Sequence, residues 1–376
     1  MNSAGGNGGG LLEFERPLAK VEQEITDLEA RQVSTGEDQS RSIRRLRSEL
    51  ASMTKRTYAK LTPWQTVQVA RHPQRPLVTD YIRSIFGDFC ELHGDRQFRD
   101  DPALMTGFAR IGGHKVLLIG QNKGKNTTER LSTNFGMVHP EGYRKALAKA
   151  KLAAKYSLPV VCLIDTAGAF PGVGAEERGI SGAIAVNLLE FSRLPTPVVC
   201  VVIGEGGSGG ALGIGVGDRT AMFEHAYYSV ISPEGCAAIL FKTGDQAQAA
   251  AEKLKLTSAS LKKLGVIDDV IPEPLGGAHR NPAEASARLE RYLTDTIRDL
   301  SRTRTETLLA RRYERLRRMG SYFERATTAT EKKPHVTKGA AANGRRSNDR
   351  RANGVTVVSA TRQAKTRRPV TPAKPK

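Results

Sequence analysis

A chain of 376 residues, 39% hydrophobic, can bury one large core with appendages, and none of its apolar runs reaches the length of a membrane span. Its formal charge of +19 sits almost wholly in residues 301–376, which hold 21 lysines and arginines against 5 acidic residues, so the body is close to neutral. Four cysteines without a Cys-x-x-Cys pair and seven histidines without ligand spacing exclude a disulfide scaffold and offer no metal motif; with no signal-peptide pattern at the start, the expectation is a reduced, cytoplasmic protein without membrane insertion.

Residues 1–10, rich in glycine, are expected to be flexible. Leu11, Phe14, Leu18, Val21, Ile25 and Leu28 recur three and four apart, a helical stripe with Pro17 in its first turn. Ile43, Leu46, Leu50 and Met53 form a second stripe, so 11–60 reads as a helical hairpin that packs on the core or on a partner. The main domain is expected over 61–300. Residues 72–76, with Pro73 and Pro76, form a stiff extended segment leading into a helix over 81–92. Strands follow over 106–111 and 116–121, then a helix over 143–156. Pro-Val-Val-Cys opens strands at Pro159 and again at Pro197, one strand–turn–helix unit apart, and places Cys162 and Cys200 inside apolar runs. Later elements are strands over 220–223 and 228–231, helices over 235–241, 247–254 and 261–264, and a strand over 266–271. A long amphipathic helix starts at Pro282 and runs past Leu300. A basic helix over 308–323 dominates a C-terminal segment at 301–330. The remainder, 331–376, has few large apolar residues and is expected to be a disordered basic tail, either solubilising or in contact with nucleic acid or an acidic partner. Apolar runs alternating with helical segments predict an α/β core of repeated β–β–α units.

Chemistry concentrates in the glycines. Residues 204–217 hold eight of them, directly after the apolar run 197–203. Glycine admits positive φ and lets a ligand approach the backbone, and a strand that breaks into a helix leaves free N–H groups aimed at one point. That arrangement suits a developing negative charge, phosphate or oxyanion. Residues 165–174 form a second glycine-rich strand exit, and two adjacent exits of one sheet make a cleft. Glu176 and Glu177 after it read as complements to a helix dipole. Two other motifs compete. Gly206-Gly207-Ser208-Gly209-Gly210 fits G-x-S-x-G, the nucleophile elbow of serine hydrolases, with Asp268 or Asp269 and then His279 in triad order. Residues 120–127 imitate a phosphate loop but are one residue short and put Asn126 where a magnesium-binding hydroxyl belongs, which excludes ATP hydrolysis there. Lys123 and Lys125 read as exposed loop lysines.

Residues 165–179 (DTAGAFPGVGAEERG), 203–218 (IGEGGSGGALGIGVGD), 228–236 (YSVISPEGC) and 270–282 (VIPEPLGGAHRNP), with 70–76 (ARHPQRP) and 134–146 (NFGMVHPEGYRKA), together resemble the α subunits of bacterial acetyl-coenzyme A carboxylase carboxyltransferase. The similarity runs from about 11 to about 318. Ala167 stands where that family often has proline, and Gln121 where a histidine is familiar; neither change removes a backbone donor. The resemblance implies a crotonase-type fold and an α₂β₂ assembly with a β subunit that carries the zinc ribbon, so that no metal belongs to this chain. It implies transfer of a carboxyl group from carboxybiotin, held on the biotin carboxyl carrier protein, to acetyl-coenzyme A. The product, malonyl-coenzyme A, feeds fatty-acid synthesis, and a biotin carboxylase completes the full complex. By position, Gly209 and Gly210 would supply the oxyanion-binding N–H groups. Gly168, Ala169, Phe170, Pro171, Gly172, Val173, Gly206 and Gly207 would line the carboxybiotin pocket, with Phe170 and Pro171 as its apolar wall. The chain alone would be inactive. Two readings stand beside this one: a serine hydrolase acting through Ser208, and a non-enzymatic scaffold whose tail binds nucleic acid.

Overall fold

The computed structural model describes residues 10–320; the glycine-rich start before Gly10 and the whole segment from 321, including the tail expected at 331–376, lie outside the described residues. The first apolar stripe folds as helix α1 (Arg16–Thr35), with Pro17 in its opening turn and Gly36 ending it at φ 75°, a left-handed value that glycine adopts without strain. The second folds as α2 (Ser40–Tyr58). The two helices clasp each other through Ile25, Ile43 and Leu46. Leu18 and Tyr58 continue onto Val69 of α3 (Pro63–Ala70), so the hairpin packs on its own chain. A polar clasp reinforces this contact. Tyr58 Oη donates to Glu15 Oε1 at 2.7 Å, and Arg280 Nη2 reaches the same oxygen at 3.0 Å. Burial pushes the Glu15 carboxyl up, but the surrounding His279, Tyr58 and Arg280 outweigh burial and hold it at about 2.

The extended segment at 72–76 leads into α4 (Val78–Ile85), and here the expected helix over 81–92 is corrected. Phe86 leaves the helical region at φ −109° and ψ 106°, and strand β1 (Gly87–Glu91) follows. It pairs antiparallel with β2 (Leu104–Ile111), Cys90 opposite Phe108 and Glu91 opposite Gly107. Pairing along this sheet edge overrides the local helical pattern, and Asp88, at φ 52°, marks the irregularity in the ladder. β2 turns back into β3 (His114–Gln121) through Gly112 and Gly113.

From β3 onward neighbouring strands run parallel. Helices α5 (Thr127–Ser132) and α6 (Pro140–Lys155) precede β4 (Val160–Thr166). Helices α7 (Val173–Glu177) and α8 (Ile180–Ser192) precede β5 (Val198–Gly207). The short α9 (Ser208–Leu212) precedes β6 (Arg219–Phe223), and β7 (Tyr227–Ser229) pairs with the end of β5. Helices α10 (Pro233–Leu240), α11 (Ala247–Leu254) and α12 (Ser258–Lys263) lead to β8 (Asp269–Ile271), which closes on β6. The strand order is β1-β2-β3-β4-β5-β6-β8, with β7 on β5. The two Pro-Val-Val-Cys copies lie side by side in register: Val160 opposite Val198, Val161 opposite Val199 and Cys162 opposite Cys200. Both strands are buried along their whole length, which is why they read as unbroken apolar runs. Because β3, β4 and β5 are parallel, their three C-terminal ends emerge at one edge of the sheet.

Helix α13 (Pro282–Ser301) lays Leu289, Leu293 and Ile297 into the core. Helix α14 (Thr305–Arg318) follows, and most of its arginines are exposed. One of them is buried. Arg312 is 1% exposed. Its guanidinium donates to Asp218 Oδ1 at 2.8 Å and to the carbonyls of Phe191, Leu194 and Thr196, each at 2.8 Å. It thereby closes the open carbonyls at the end of α8 and fixes α14 to the start of β5. Among the described residues no helix is long and apolar enough to cross a membrane.

Candidate active site

The two glycine-rich strand exits meet. β4 leaves the sheet at Thr166, whose Oγ1 accepts from the Gly168 N–H at 3.2 Å and donates to the Gly168 carbonyl at 2.7 Å, a local turn that sets the next residues. β5 leaves at Gly207. A Cβ placed on Gly207 would lie 2.0 Å from the Ala167 carbonyl oxygen, and one on Gly210 would lie 2.3 Å from the Gly168 carbonyl carbon and 2.5 Å from the Ala169 nitrogen. Only glycine lets these two backbones touch. Neither Gly207 nor Gly210 has positive φ; the left-handed residue of the loop is Ser208, at φ 50°. Ser208, Gly209 and Gly210 form the first turn of α9, which no side chain caps and which has no earlier carbonyl of its own to meet its N–H groups.

The other expected residues distribute around this contact. Ala169 bridges to Val138, and the Phe170 N–H donates to the Val138 carbonyl at 3.2 Å. The Phe170 ring lies on the His139 ring with centroids 4.2 Å apart and covers Gly172, where a Cβ would sit 2.3 Å from it. Pro171 and Val173 are exposed at the mouth of the loop, and Gly206 lies against the Tyr228 ring. A Cβ on Gly168 would meet nothing within 4 Å, so the loop borders open space there.

The hydrolase triad is not assembled. Ser208 is exposed on the rim of an apolar cavity of about 300 Å³ lined by Leu212, Tyr228, Val230 and Leu316. Asp268 is held by Arg315 and by the Thr220 N–H, at 2.8 and 2.7 Å. Asp269 accepts from Tyr292 Oη at 3.1 Å. His279 stacks on His72 with ring centroids 4.0 Å apart. None of these three side chains hydrogen-bonds Ser208.

A buried charge network beneath the exits escapes the sequence reading. Lys123, at the end of β3, is not an exposed loop lysine: its ammonium bridges Asp165 Oδ1, at 2.8 Å, and Glu205 Oε2. Asp165 Oδ1 also accepts the Glu205 N–H at 2.9 Å. Glu205 Oε1 takes Arg71 Nε at 2.6 Å and Tyr227 Oη at 2.7 Å. Burial pushes the Glu205 carboxyl up, but Lys123 and Arg71 beside it bring it down to about 2. The signal available was that Lys123, Asp165 and Glu205 each stand at or just past the end of an apolar strand. Lys125 pairs with Asp80 at the surface, and Asn126 caps α5 by accepting the Glu129 N–H at 2.9 Å, so the phosphate-loop imitation is a helix cap. Glu176 and Glu177 are exposed.

Glu15, His72 and His279 bring three possible metal-ligand atoms within 4.8 Å of one another. Tyr58 and Arg280 already donate to Glu15 Oε1, and the Gln74 N–H donates to His72 Nδ1 at 3.2 Å. The cluster is the clasp between the N-terminal hairpin and the core.

Residues 11–320 match the acetyl co-enzyme A carboxylase carboxyltransferase-like family. The chain is 52% identical over 313 residues to the acetyl-coenzyme A carboxylase carboxyl transferase subunit alpha of Rhodopirellula baltica, covering 83% of this chain and 98% of that one. The protein of the same name from Thiobacillus denitrificans is 52% identical over 314 residues, with 84% and 98% covered. Among solved structures, the transcarboxylase 12S core with methylmalonyl-coenzyme A and methylmalonic acid bound shares the fold, at a TM-score of 0.51 and 22% identity over 61% of this chain and 43% of that one. The α/β core of crotonase type expected from the sequence is thus the fold observed. The match over residues 11–320, from the N-terminal hairpin through α14, places this chain in the acetyl co-enzyme A carboxylase carboxyltransferase-like family.

Proposed function

We propose that this chain is the α subunit of an acetyl-coenzyme A carboxylase carboxyltransferase. With a β subunit it moves a carboxyl group from carboxybiotin, presented by the biotin carboxyl carrier protein, to acetyl-coenzyme A and forms malonyl-coenzyme A. One observation carries the reading beyond kinship: the turn at Ser208–Gly210 offers uncapped N–H groups against a loop that borders open space, with no side-chain catalytic set assembled on it. Biotin, when its carrier delivers it, supplies the carboxyl group on a ureido nitrogen. The space that a side chain at Gly168 would enter is open, and this reading assigns it to the ureido ring.

The residues of this chain then have separable tasks. The N–H groups of Gly209 and Gly210 donate to the oxygen that gains negative charge as the carboxyl group leaves, a preset arrangement that needs no reorganisation. Gly168, Ala169 and Gly172 form the wall opposite, with Phe170 and Pro171 as its apolar part. Gly206 and Gly207 bring the turn up to that wall. Acetyl-coenzyme A is held chiefly by the β subunit.

This assignment makes the Ser208 hydroxyl dispensable. In the complex with the β subunit, Ser208→Ala should retain most carboxyl transfer, and a fluorophosphonate probe should leave the native serine unlabelled. Loss of activity in Ser208→Ala together with labelling of the native serine would replace the carboxyltransferase reading with a hydrolase.

A further inference from the structure

Both glycine-rich exits belong to loops, yet the proposed chemistry requires them to keep a fixed separation. The charge network of Lys123, Asp165 and Glu205 fastens the strand ends, but it stops at Glu205, before the turn that carries Gly209 and Gly210. One side chain continues past it. Gln121, the last residue of β3, is 0% exposed. Its Oε1 accepts the Asp165 N–H at 3.0 Å, and its Nε2 donates to the Gly210 carbonyl at 2.8 Å. The partners fix the orientation of the amide, since one side presents an N–H and the other a carbonyl. Tyr143 Oη of α6 donates to the same Gly210 carbonyl at 3.2 Å. That carbonyl is therefore held by two buried donors, and with it the peptide plane that follows Gly210.

We propose that Gln121 is a positioning residue for carboxyl transfer: its carboxamide ties the end of β4 to the Gly210 carbonyl and so anchors the turn whose Gly209 and Gly210 N–H groups are the proposed donors. Gln121 touches no reacting atom. It acts through Gly210, whose backbone is already pressed against Gly168 and Ala169 and has little other freedom. A displacement of about 1 Å at such a site costs on the order of a hundredfold in rate. The bridge needs one acceptor and one donor at the spacing of a carboxamide. Glutamate supplies the acceptor but sets a second oxygen against the Gly210 carbonyl. Methionine keeps the packing and loses both bonds. Neutral histidine offers one donor and one acceptor across its ring, at a similar spacing.

The inference rests on the carboxyltransferase reading, and the test separates the two. The assembled complex with the β subunit is assayed for transfer to acetyl-coenzyme A, with melting temperature and assembly measured on the same samples. Wild type must be active; an inactive wild-type complex counts against the functional reading itself. Given activity, Gln121→Met and Gln121→Glu should assemble and lose kcat by on the order of tenfold to a hundredfold, with KM for acetyl-coenzyme A unchanged, and Gln121→His should recover most of the lost kcat. A merely structural amide would lower the melting temperature and leave kcat per assembled complex intact, and that result overturns the proposal. So does a Gln121→His variant no better than Gln121→Met. Should Gln121→Met fail to assemble, Gln121→Glu decides, because it keeps the acceptor for the Asp165 N–H and loses only the donor to the Gly210 carbonyl. It should lower kcat without changing KM, and an unchanged kcat overturns the proposal.

Discussion

Gly210→Val is expected to cut carboxyl transfer by about a hundredfold or more, and Gly210→Ala nearly as far, while Gly209→Ala stays close to wild type. The three variants differ by a few ångströms of space. The first atom added at Gly210 already overlaps the Gly168 carbonyl carbon at 2.3 Å and the Ala169 nitrogen at 2.5 Å, and backbone cannot step aside as a side chain can. A methyl at Gly209 meets only Ile184 Cδ1, at 3.5 Å, an ordinary contact. Neither glycine has positive φ, so alanine brings no backbone strain to either position. The measurement is kcat of the assembled complex for each variant, with thermal melting on the same samples to separate a displaced turn from an unfolded one. Equal losses at Gly209 and Gly210 would contradict the steric account. Normal activity in Gly210→Ala would show that contact between the two exits does not set the site.

Arg312→Met should be the most destabilising single change in the C-terminal part of the fold. It strands Asp218 in the interior and takes a donor from the Phe191, Leu194 and Thr196 carbonyls at once. Removing one partner of a buried ion pair costs about 3–5 kcal/mol. Arg312→Lys should fall between, since an ammonium keeps the charge but cannot fork to four acceptors. Urea denaturation reads the effect as a lower midpoint. A midpoint equal to wild type for Arg312→Met would mean that α14 adds nothing to the stability of the body.

Much of the architecture is legible in the residues because it is made of long, doubly buried strands. The Pro-Val-Val-Cys repeat at 159–162 and 197–200 becomes the pairing of β4 with β5 residue for residue. Edge elements are less legible. β1 pairs on one side only, so residues 87–91 carry a weak pattern that merges into the helix before them. The glycines mark the candidate site, but do not show why they are glycine. Positive φ and ligand approach are the reasons the residue type suggests; at Gly207 and Gly210 the reason is the neighbouring loop, known only once β4 and β5 are aligned. The same holds for charges. Arg71, Lys123, Asp165 and Glu205 stand far apart in the chain, and a lysine in a polar loop or an arginine in a basic helix reads as solvated until the sheet brings its carboxylates alongside.

The most direct test of the central claim is transfer of labelled carboxyl from carboxybiotin to acetyl-coenzyme A by this chain with and without its β subunit. The mixture should form malonyl-coenzyme A, and each chain alone should not, because the proposed function divides the oxyanion-binding turn and the acyl-coenzyme A site between the two subunits. Robust turnover by this chain alone, or no turnover by an assembled complex, would contradict the account.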